Sequence, residues 1–162
     1  MSSVSKGDEV LIVTPLVFSW LTTYLTGKVE SKEKYKKAWF QPPGWVFAVV
    51  WTLLYIMFGF LLFESKRQED YFTMGLVIAI ICLTYLWQYL FSYLRNYKLA
   101  FYDLILILLI GVFLYTRLNF SPVVDNTTFG RGYVYIYIPF VVWMVLAILL
   151  SVESKYYKIK KQ

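Results

Sequence analysis

Residues 38–63 decide the fold: they read AWFQPPGWVFAVVWTLLYIMFGFLLF and contain no charged side chain. A helix needs about 20 mostly apolar residues to cross the hydrocarbon core of a bilayer. Pro42 and Pro43 stand just before the apolar part, where a helix tolerates proline because its first N–H groups have no partner inside the helix. The stretch predicts a transmembrane helix at about residues 44–63 that begins after a rigid proline pair.

Four further apolar runs have the same character, so we predict five spans in all. The runs lack the alternation of apolar and polar residues over about ten positions that a transmembrane strand requires, and a helix satisfies its backbone hydrogen bonds inside lipid. We therefore predict an all-α polytopic membrane protein, a single domain over residues 1–162 that ends in a basic tail at 153–162. The other four spans are expected at about residues 9–26, 72–94, 99–118 and 133–152.

The composition excludes several classes of protein. Of the 162 residues, 59% are hydrophobic and 16% are charged, whereas soluble domains have about 45–50% and 25%, so a soluble enzyme is excluded. The chain has no histidine and one cysteine, which excludes imidazole-ligated metals and haem, Ser-His nucleophile pairs and an internal disulfide. We expect no metal site and no required cofactor.

The basic residues predict the orientation in the membrane. Eleven of the 16 Lys and Arg residues follow the first, third and fifth spans, and five lie on the opposite side. Because cytoplasmic loops carry an excess of basic residues, we expect the first loop and the C-terminus in the cytosol. The net charge of +6 then reflects membrane orientation, and we expect no nucleic-acid partner.

Aromatic residues lie deep inside three of the spans. In the second span, Phe47, Trp51 and Tyr55 follow i, i+4, i+8 spacing and share one face. Two interpretations stay open: ordinary helix packing or lipid contact, and the walls of a cavity for a planar polycyclic ligand. Similar spacing recurs in the third and fifth spans, at Leu83, Trp87, Leu90 and Leu94 and at Phe140, Trp143, Ala147 and Leu150.

Apart from Glu9 at the very start of the first span, Asp103 is the only carboxylate within the predicted spans. An acid inside the membrane is costly and suggests a function, but Asp103 lies in the first turns of its span, where the helix N-terminus favours negative charge. Arg95 precedes it across a tight turn. We predict a structural ion pair between Arg95 and Asp103.

The end of the fifth span carries a loose sterol-contact pattern at Val152, Tyr156 and Lys158. Such patterns are weak, and Tyr and Lys also occur at many helix ends as anchors to the membrane interface. The pattern therefore names a candidate sterol site and leaves the anchoring role open.

Residues 37–47, KAWFQPPGWVF, continue into VWTLLY at residues 50–55. This combination resembles the hallmark of the translocator protein and tryptophan-rich sensory protein family, the peripheral-type benzodiazepine receptors. The resemblance extends over about residues 10–155. Weaker matches follow in order at Trp87, Arg95, Asp103 and residues 138–143, IPFVVW.

The resemblance implies a tight five-helix bundle, often homodimeric, whose pocket binds porphyrins such as protoporphyrin IX and, in animal relatives, sterols. The first loop would cover the pocket in part, with Trp39, Phe40, Pro42, Pro43 and Trp45. The pocket residues implied are Phe47, Ala48, Val50, Trp51, Trp87, Leu90, Leu99, Tyr102, Leu106, Phe140, Trp143, Ala147 and Leu150.

The resemblance implies more than one function. The leading hypothesis is a receptor or translocator without enzymatic activity. Some bacterial relatives degrade porphyrin in light, and the tryptophans with that role here would be Trp51 and Trp143. A third hypothesis is a membrane interaction platform with a vestigial pocket. The membrane would be the mitochondrial outer membrane or another cell membrane. Departures from the family pattern that bear on ligand choice are Ala38, Phe40, Thr84, Leu99, Phe140 and Ser151.

Overall fold

The computed structural model describes residues 7, 9–26, 40–120, 135 and 137–159, which form five helices and contain no strand. This confirms the predicted all-α fold. The helices are α1 (Val10–Thr26), α2 (Gly44–Arg67), α3 (Tyr71–Gln88), α4 (Tyr97–Phe120) and α5 (Ile138–Ile159). Helix α3 continues into a π-helical turn over Tyr89–Tyr93.

Three of these helices, α2, α3 and α4, are long and apolar enough to cross a membrane. The other two carry shorter apolar stretches, Val10–Leu21 in α1 and Ile138–Val152 in α5. A chain with such helices belongs in a lipid bilayer, so the protein is an integral membrane protein.

One end of the bundle is closely packed. We call it the closed end: α2 and α4 finish there, and α1, α3 and α5 begin there. Gly59 lets α2 approach the backbone of α1 at Ile12, and a Cβ atom at Gly59 would overlap the Ile12 carbonyl. A Cβ atom at Gly111 of α4 would lie 2.8 Å from a ring carbon of Phe140. The fully buried core beside these glycines includes Phe58, Val77, Ile80, Leu104, Ile107, Leu114 and Met144.

A polar cluster joins α3 to α4 at the closed end. Asp70 caps α3 and accepts hydrogen bonds from the Thr73 backbone nitrogen at 3.0 Å and from the Thr73 hydroxyl at 2.6 Å. Arg117, near the end of α4, donates to Asp70 Oδ1 and to the Thr73 hydroxyl, both at 2.9 Å. Burial alone would raise the pKa of Asp70, but the hydrogen bonds from Thr73 and the Arg117 charge outweigh it, and the net pKa lies below its ordinary value.

The predicted ion pair between Arg95 and Asp103 does not form. Arg95 lies in the turn between α3 and α4 with a positive φ of 52°, whereas Asp103 is six residues into α4, about 9 Å along its axis. Asp103 is buried on the same face as Ala100 and Leu104, and its Oδ2 atom has no hydrogen-bond partner. The ion pair that the structure does form between two helices is Arg117–Asp70.

Candidate ligand cavity

A cavity of about 800 Å³ opens between α1, α2, α3 and α5. Its volume lies within the range of about 300–1,000 Å³ that is typical of small-molecule sites. Seven of the residues implied by the family resemblance line it: Phe47, Ala48, Trp51, Trp87, Trp143, Ala147 and Leu150. The other lining residues are Ser19, Trp20, Tyr24, Gln41, Thr52, Tyr55, Thr84, Gln88, Phe91 and Ser151.

The cavity runs inward from the end of the bundle where α2 begins. Phe47 is in the first turn of α2, and Tyr55 lies eight residues further on, about 12 Å deeper along the helix. On α1 and α3, which run the other way, Ser19 and Thr84 are correspondingly deep. Uncharged polar side chains lie nearer the opening, at Tyr24, Gln41, Gln88 and Ser151.

One wall of the cavity is a series of stacked rings. Trp51 of α2 stacks against Trp87 of α3, with ring centroids 5.9 Å apart and planes at 27°. Trp51 also stacks on Tyr55 at 5.6 Å, and Trp87 stacks on Phe91 at 5.3 Å. The i, i+4 spacing of each pair along its own helix places these rings on one face. Together they form a continuous aromatic surface.

A second part of the lining is built from α2 and α5. Phe47 and Trp143 meet edge to face, with ring centroids 5.0 Å apart. The indole nitrogens of Trp143 and Trp87 are buried and have no hydrogen-bond partner among the described residues. Burying a donor without a partner lowers the stability of the fold. Both indoles nevertheless lie at the cavity.

Three hydroxyl groups from three helices meet at the deep end, and we call Ser19, Tyr55 and Thr84 the hydroxyl floor. The Tyr55 hydroxyl donates to the Thr84 hydroxyl at 3.5 Å, and the Thr84 hydroxyl donates to the Ile81 carbonyl at 2.7 Å. The side chains of Tyr55 and Ser19 are also hydrogen-bonded. The floor is therefore a polar patch beneath apolar walls.

The lining contains no charged residue in the part of the chain that the structure describes. In the same part of the chain, no group of three or more Cys, Asp or Glu residues could hold a metal ion. A ligand would therefore be bound by apolar burial, ring stacking and hydrogen bonds to neutral groups.

Six residues implied by the resemblance lie away from the cavity. On α4, Leu99, Tyr102 and Leu106 are 50%, 54% and 45% exposed, because α4 turns its other face, with Ala100 and Leu104, into the core. Phe140 and Leu90 are buried in the bundle, and Val50 packs, partly buried, against its core. Their helix faces meet other helices and not the cavity.

The predicted covering segment is seen only in part. Phe40 and Pro42 are half-buried, Pro43 is exposed, and Trp45 is 69% exposed and does not line the cavity. Gln41, which the sequence did not single out, lines it instead. Trp39 is outside the described residues, as are the side chains of two members of the sterol pattern, Tyr156 and Lys158, whereas its third member, Val152, is exposed.

Sequence reasoning missed the hydroxyl floor as a site. Tyr55 belonged to the predicted stripe of α2, and Thr84 is three residues before Trp87 on α3, so spacing could have found both. Ser19 had no such signal, since α1 shows no pattern that distinguishes an inner from an outer face.

Comparison with known proteins agrees with this architecture. The model of the TspO/MBR family matches residues 11–157. A relative, the Tryptophan-rich protein TspO of Archaeoglobus fulgidus, is 32% identical over 43% of this chain and 48% of its own length. The matching part thus spans about half of that relative. The family match itself covers nearly the whole chain, and the chain belongs to the TspO/MBR family.

Proposed function

We propose that this protein is a membrane receptor or translocator that binds a porphyrin such as protoporphyrin IX, or another flat apolar ligand such as a sterol, inside the helix bundle. The observation that carries the proposal is the cavity of about 800 Å³ whose lining includes the stacked indoles of Trp51 and Trp87 and the edge-to-face pair of Phe47 and Trp143. Membership of the TspO/MBR family supports the same class of function.

The physical basis of binding is apolar area and ring stacking. Removing apolar surface from water contributes about 25 cal/mol per Å², and a well-placed aromatic pair adds about 0.5–1.5 kcal/mol. A flat polycyclic molecule that packs against these rings gains both terms. The described lining residues are apolar or neutral polar groups, so binding would rest on burial, stacking and neutral hydrogen bonds.

The test is a titration of protoporphyrin IX into detergent-purified protein, followed by tryptophan fluorescence. We expect saturable quenching with a Kd of about 1 µM, equivalent to about 8 kcal/mol. Trp51→Phe and Trp143→Phe are each expected to weaken binding about fivefold, because each removes part of a wall. Trp45→Phe is the matched control, since Trp45 is exposed and outside the cavity.

Quenching that does not saturate, or that is equal in all four proteins, would mean that the porphyrin partitions into micelles. Saturable binding of a sterol would then identify the sterol, and not the porphyrin, as the class of ligand. Failure with both ligands would favour an interaction platform whose cavity is vestigial.

Light-dependent porphyrin degradation is a second candidate function. Its support is the stacked series Tyr55–Trp51–Trp87, which places several oxidisable rings side by side at the cavity. Under this candidate, illumination of the complex in air bleaches the porphyrin absorbance, and Trp51→Phe and Trp143→Phe slow the bleaching. Absorbance that is stable under light would exclude it.

We also propose the orientation, with the first loop and the basic tail at 153–162 in the cytosol of a mitochondrial outer membrane or another cell membrane. The asymmetry of basic residues supports it. In a Cys82→Ser background and a plasma membrane, Gln162→Cys should resist a membrane-impermeant maleimide added to intact cells, and Ser2→Cys should react. In isolated mitochondria the reagent meets the cytosolic face of the outer membrane, so with a bulky maleimide Gln162→Cys should react and Ser2→Cys should resist. The homodimer remains a proposal that light scattering of the purified protein would test.

A further inference from the structure

The deep end of the cavity is polar but carries no charge. The hydroxyl floor unites α1, α2 and α3 about 12 Å beneath the first turn of α2, and all three of its side chains line the cavity. We propose that the hydroxyl floor is a specificity subsite that accepts an uncharged oxygen of the ligand, a carbonyl or hydroxyl, and rejects a carboxylate. This inference rests on the proposed binding of a flat ligand in the same cavity.

The Tyr55 hydroxyl can offer its proton to a ligand in place of Thr84. The Thr84 hydroxyl is committed to the Ile81 carbonyl at 2.7 Å, a full-strength hydrogen bond. The bond from the Tyr55 hydroxyl to Thr84 is 3.5 Å long, well beyond the usual 2.7–2.8 Å. Redirecting the Tyr55 proton to a ligand oxygen therefore exchanges a weak hydrogen bond for a normal one.

A carboxylate at the same place has no counter-ion among the described lining residues. None of them is Lys or Arg, and the rings of Trp51 and Trp87 surround the floor with apolar surface. An unpaired buried charge is far more costly than a neutral oxygen that accepts one hydrogen bond. Acidic groups of a ligand are therefore kept at the opening, and a neutral polar group goes to the floor.

Tyr85 is a neighbouring tyrosine whose hydroxyl has a structural role only. Its hydroxyl donates at 2.5 Å to the carbonyl of Pro15, so it joins α3 to α1, and it does not line the cavity. Its ring stacks on Tyr55 at 5.5 Å. The two phenols are neighbours, but of the two it is Tyr55 that lines the cavity and whose hydrogen bond, to Thr84, is long.

The experiment compares protoporphyrin IX with its dimethyl ester, which have the same ring and differ in charge. Each is titrated into the wild type, Tyr55→Phe and Tyr85→Phe. We expect Tyr55→Phe to weaken the ester about fivefold, the value of one neutral hydrogen bond, and the diacid less than about twofold. Tyr85→Phe should lower thermal stability and leave both affinities unchanged. Ratios between variants cancel the different partitioning of the two ligands into micelles.

Three outcomes are informative. Equal weakening of both ligands by Tyr55→Phe, or none, would overturn the subsite and leave the proposed function standing. Absence of saturable binding by either porphyrin would overturn both. If Tyr55→Phe does not fold, Thr84→Val decides: it frees the Tyr55 proton and should hold or raise the affinity for the ester, so a loss confined to the ester would contradict the subsite.

Discussion

The two ends of the bundle are both lined by apolar residues, but one end is closely packed and the other encloses a cavity. At the closed end, Gly59 and Gly111 bring backbones and rings so close that an added Cβ atom would overlap a neighbour. At the other end, Trp51, Trp87 and Trp143 hold the helices apart and leave a cavity of about 800 Å³. Small residues permit close helix contact in lipid, whereas large rings that meet one another leave space between the helices.

This difference separates stability from ligand binding. The contacts at the closed end, with its two tightly packed glycines and the Asp70–Thr73–Arg117 cluster, do not touch the cavity. Some cavity residues, such as Tyr55 and Trp143, also belong to the buried core, but others, such as Ala48, border open space. Substitutions at the closed end should therefore change stability, and substitutions at the cavity should change affinity.

Gly59→Ala is expected to have the largest effect on stability. The new Cβ atom would meet the backbone of Ile12, which cannot move aside as a side chain can, so α1 and α2 must separate. Overpacking of this kind costs about 1–3 kcal/mol or more, and we expect about 3 kcal/mol in unfolding by denaturing detergent.

Gly75→Ala is the matched control, because nothing lies within 4 Å of the position of its Cβ atom. It should leave stability unchanged or raise it by up to about 1 kcal/mol through better helix propensity. If Gly59→Ala and Gly75→Ala change the free energy of unfolding equally, α1 and α2 do not approach each other at Gly59 as closely as the structure shows.

Arg117→Met should cost about 2 kcal/mol, the value of hydrogen bonds to a charged group. It removes both bonds from the guanidinium to Asp70 and Thr73, together with its contact with the ring of Phe72, whose centroid lies 4.7 Å from the guanidinium carbon. Porphyrin affinity in the folded protein should not change, since the cluster is at the closed end. A variant of unchanged stability would contradict the role of this cluster.

Ala48→Leu should lower affinity and leave stability unchanged, the opposite of Arg117→Met. Ala48 lines the cavity, so three added carbons fill space that the ligand needs, and we expect affinity to fall at least about tenfold, or about 1.4 kcal/mol. Stability should stay within about 0.5 kcal/mol. Val49→Leu, on the exposed outer face of the same helix, should affect neither quantity. Retained affinity in Ala48→Leu would place the ligand outside the cavity.

The five helices could be predicted from the sequence because their length and apolarity suffice. Details at the helix ends could not: α2 runs on to Arg67, where Glu64 pairs with Arg67 at 2.6 Å, and α3 ends in a π-helical turn. Both depend on local hydrogen bonds and ion pairs that hydrophobicity does not report.

The cavity could be predicted only on the helices whose aromatic spacing marks an inner face. That spacing identified Trp51 and Trp143, which line the cavity. On α4, apolar residues surround the helix, so the sequence does not say which face turns inward, and Tyr102 proves to face outward. The sequence also paired Asp103 with Arg95, eight residues earlier, whereas the ion pair that joins α3 to α4 in the described residues, Arg117–Asp70, links positions 47 residues apart.

The smallest expected effect is the pH dependence of the closed end. The pKa of Asp70 lies below its ordinary value, which is about 3.9 in an unfolded chain. The stability that this carboxylate contributes is therefore complete above that value and is lost as the pH falls through the folded pKa.

Asp70→Asn should remove this acid-sensitive part of the unfolding free energy, and Glu69→Gln, at an exposed neighbouring side chain, should retain it. The loss in acid should be smaller than that in Arg117→Met, because a protonated Asp70 can still accept from Thr73 and Arg117 still lies over Phe72. Measuring unfolding between pH 7 and about pH 3 tests this. If the wild type and Asp70→Asn lose stability in parallel, the acid sensitivity arises elsewhere and the cluster acts through its neutral hydrogen bonds alone.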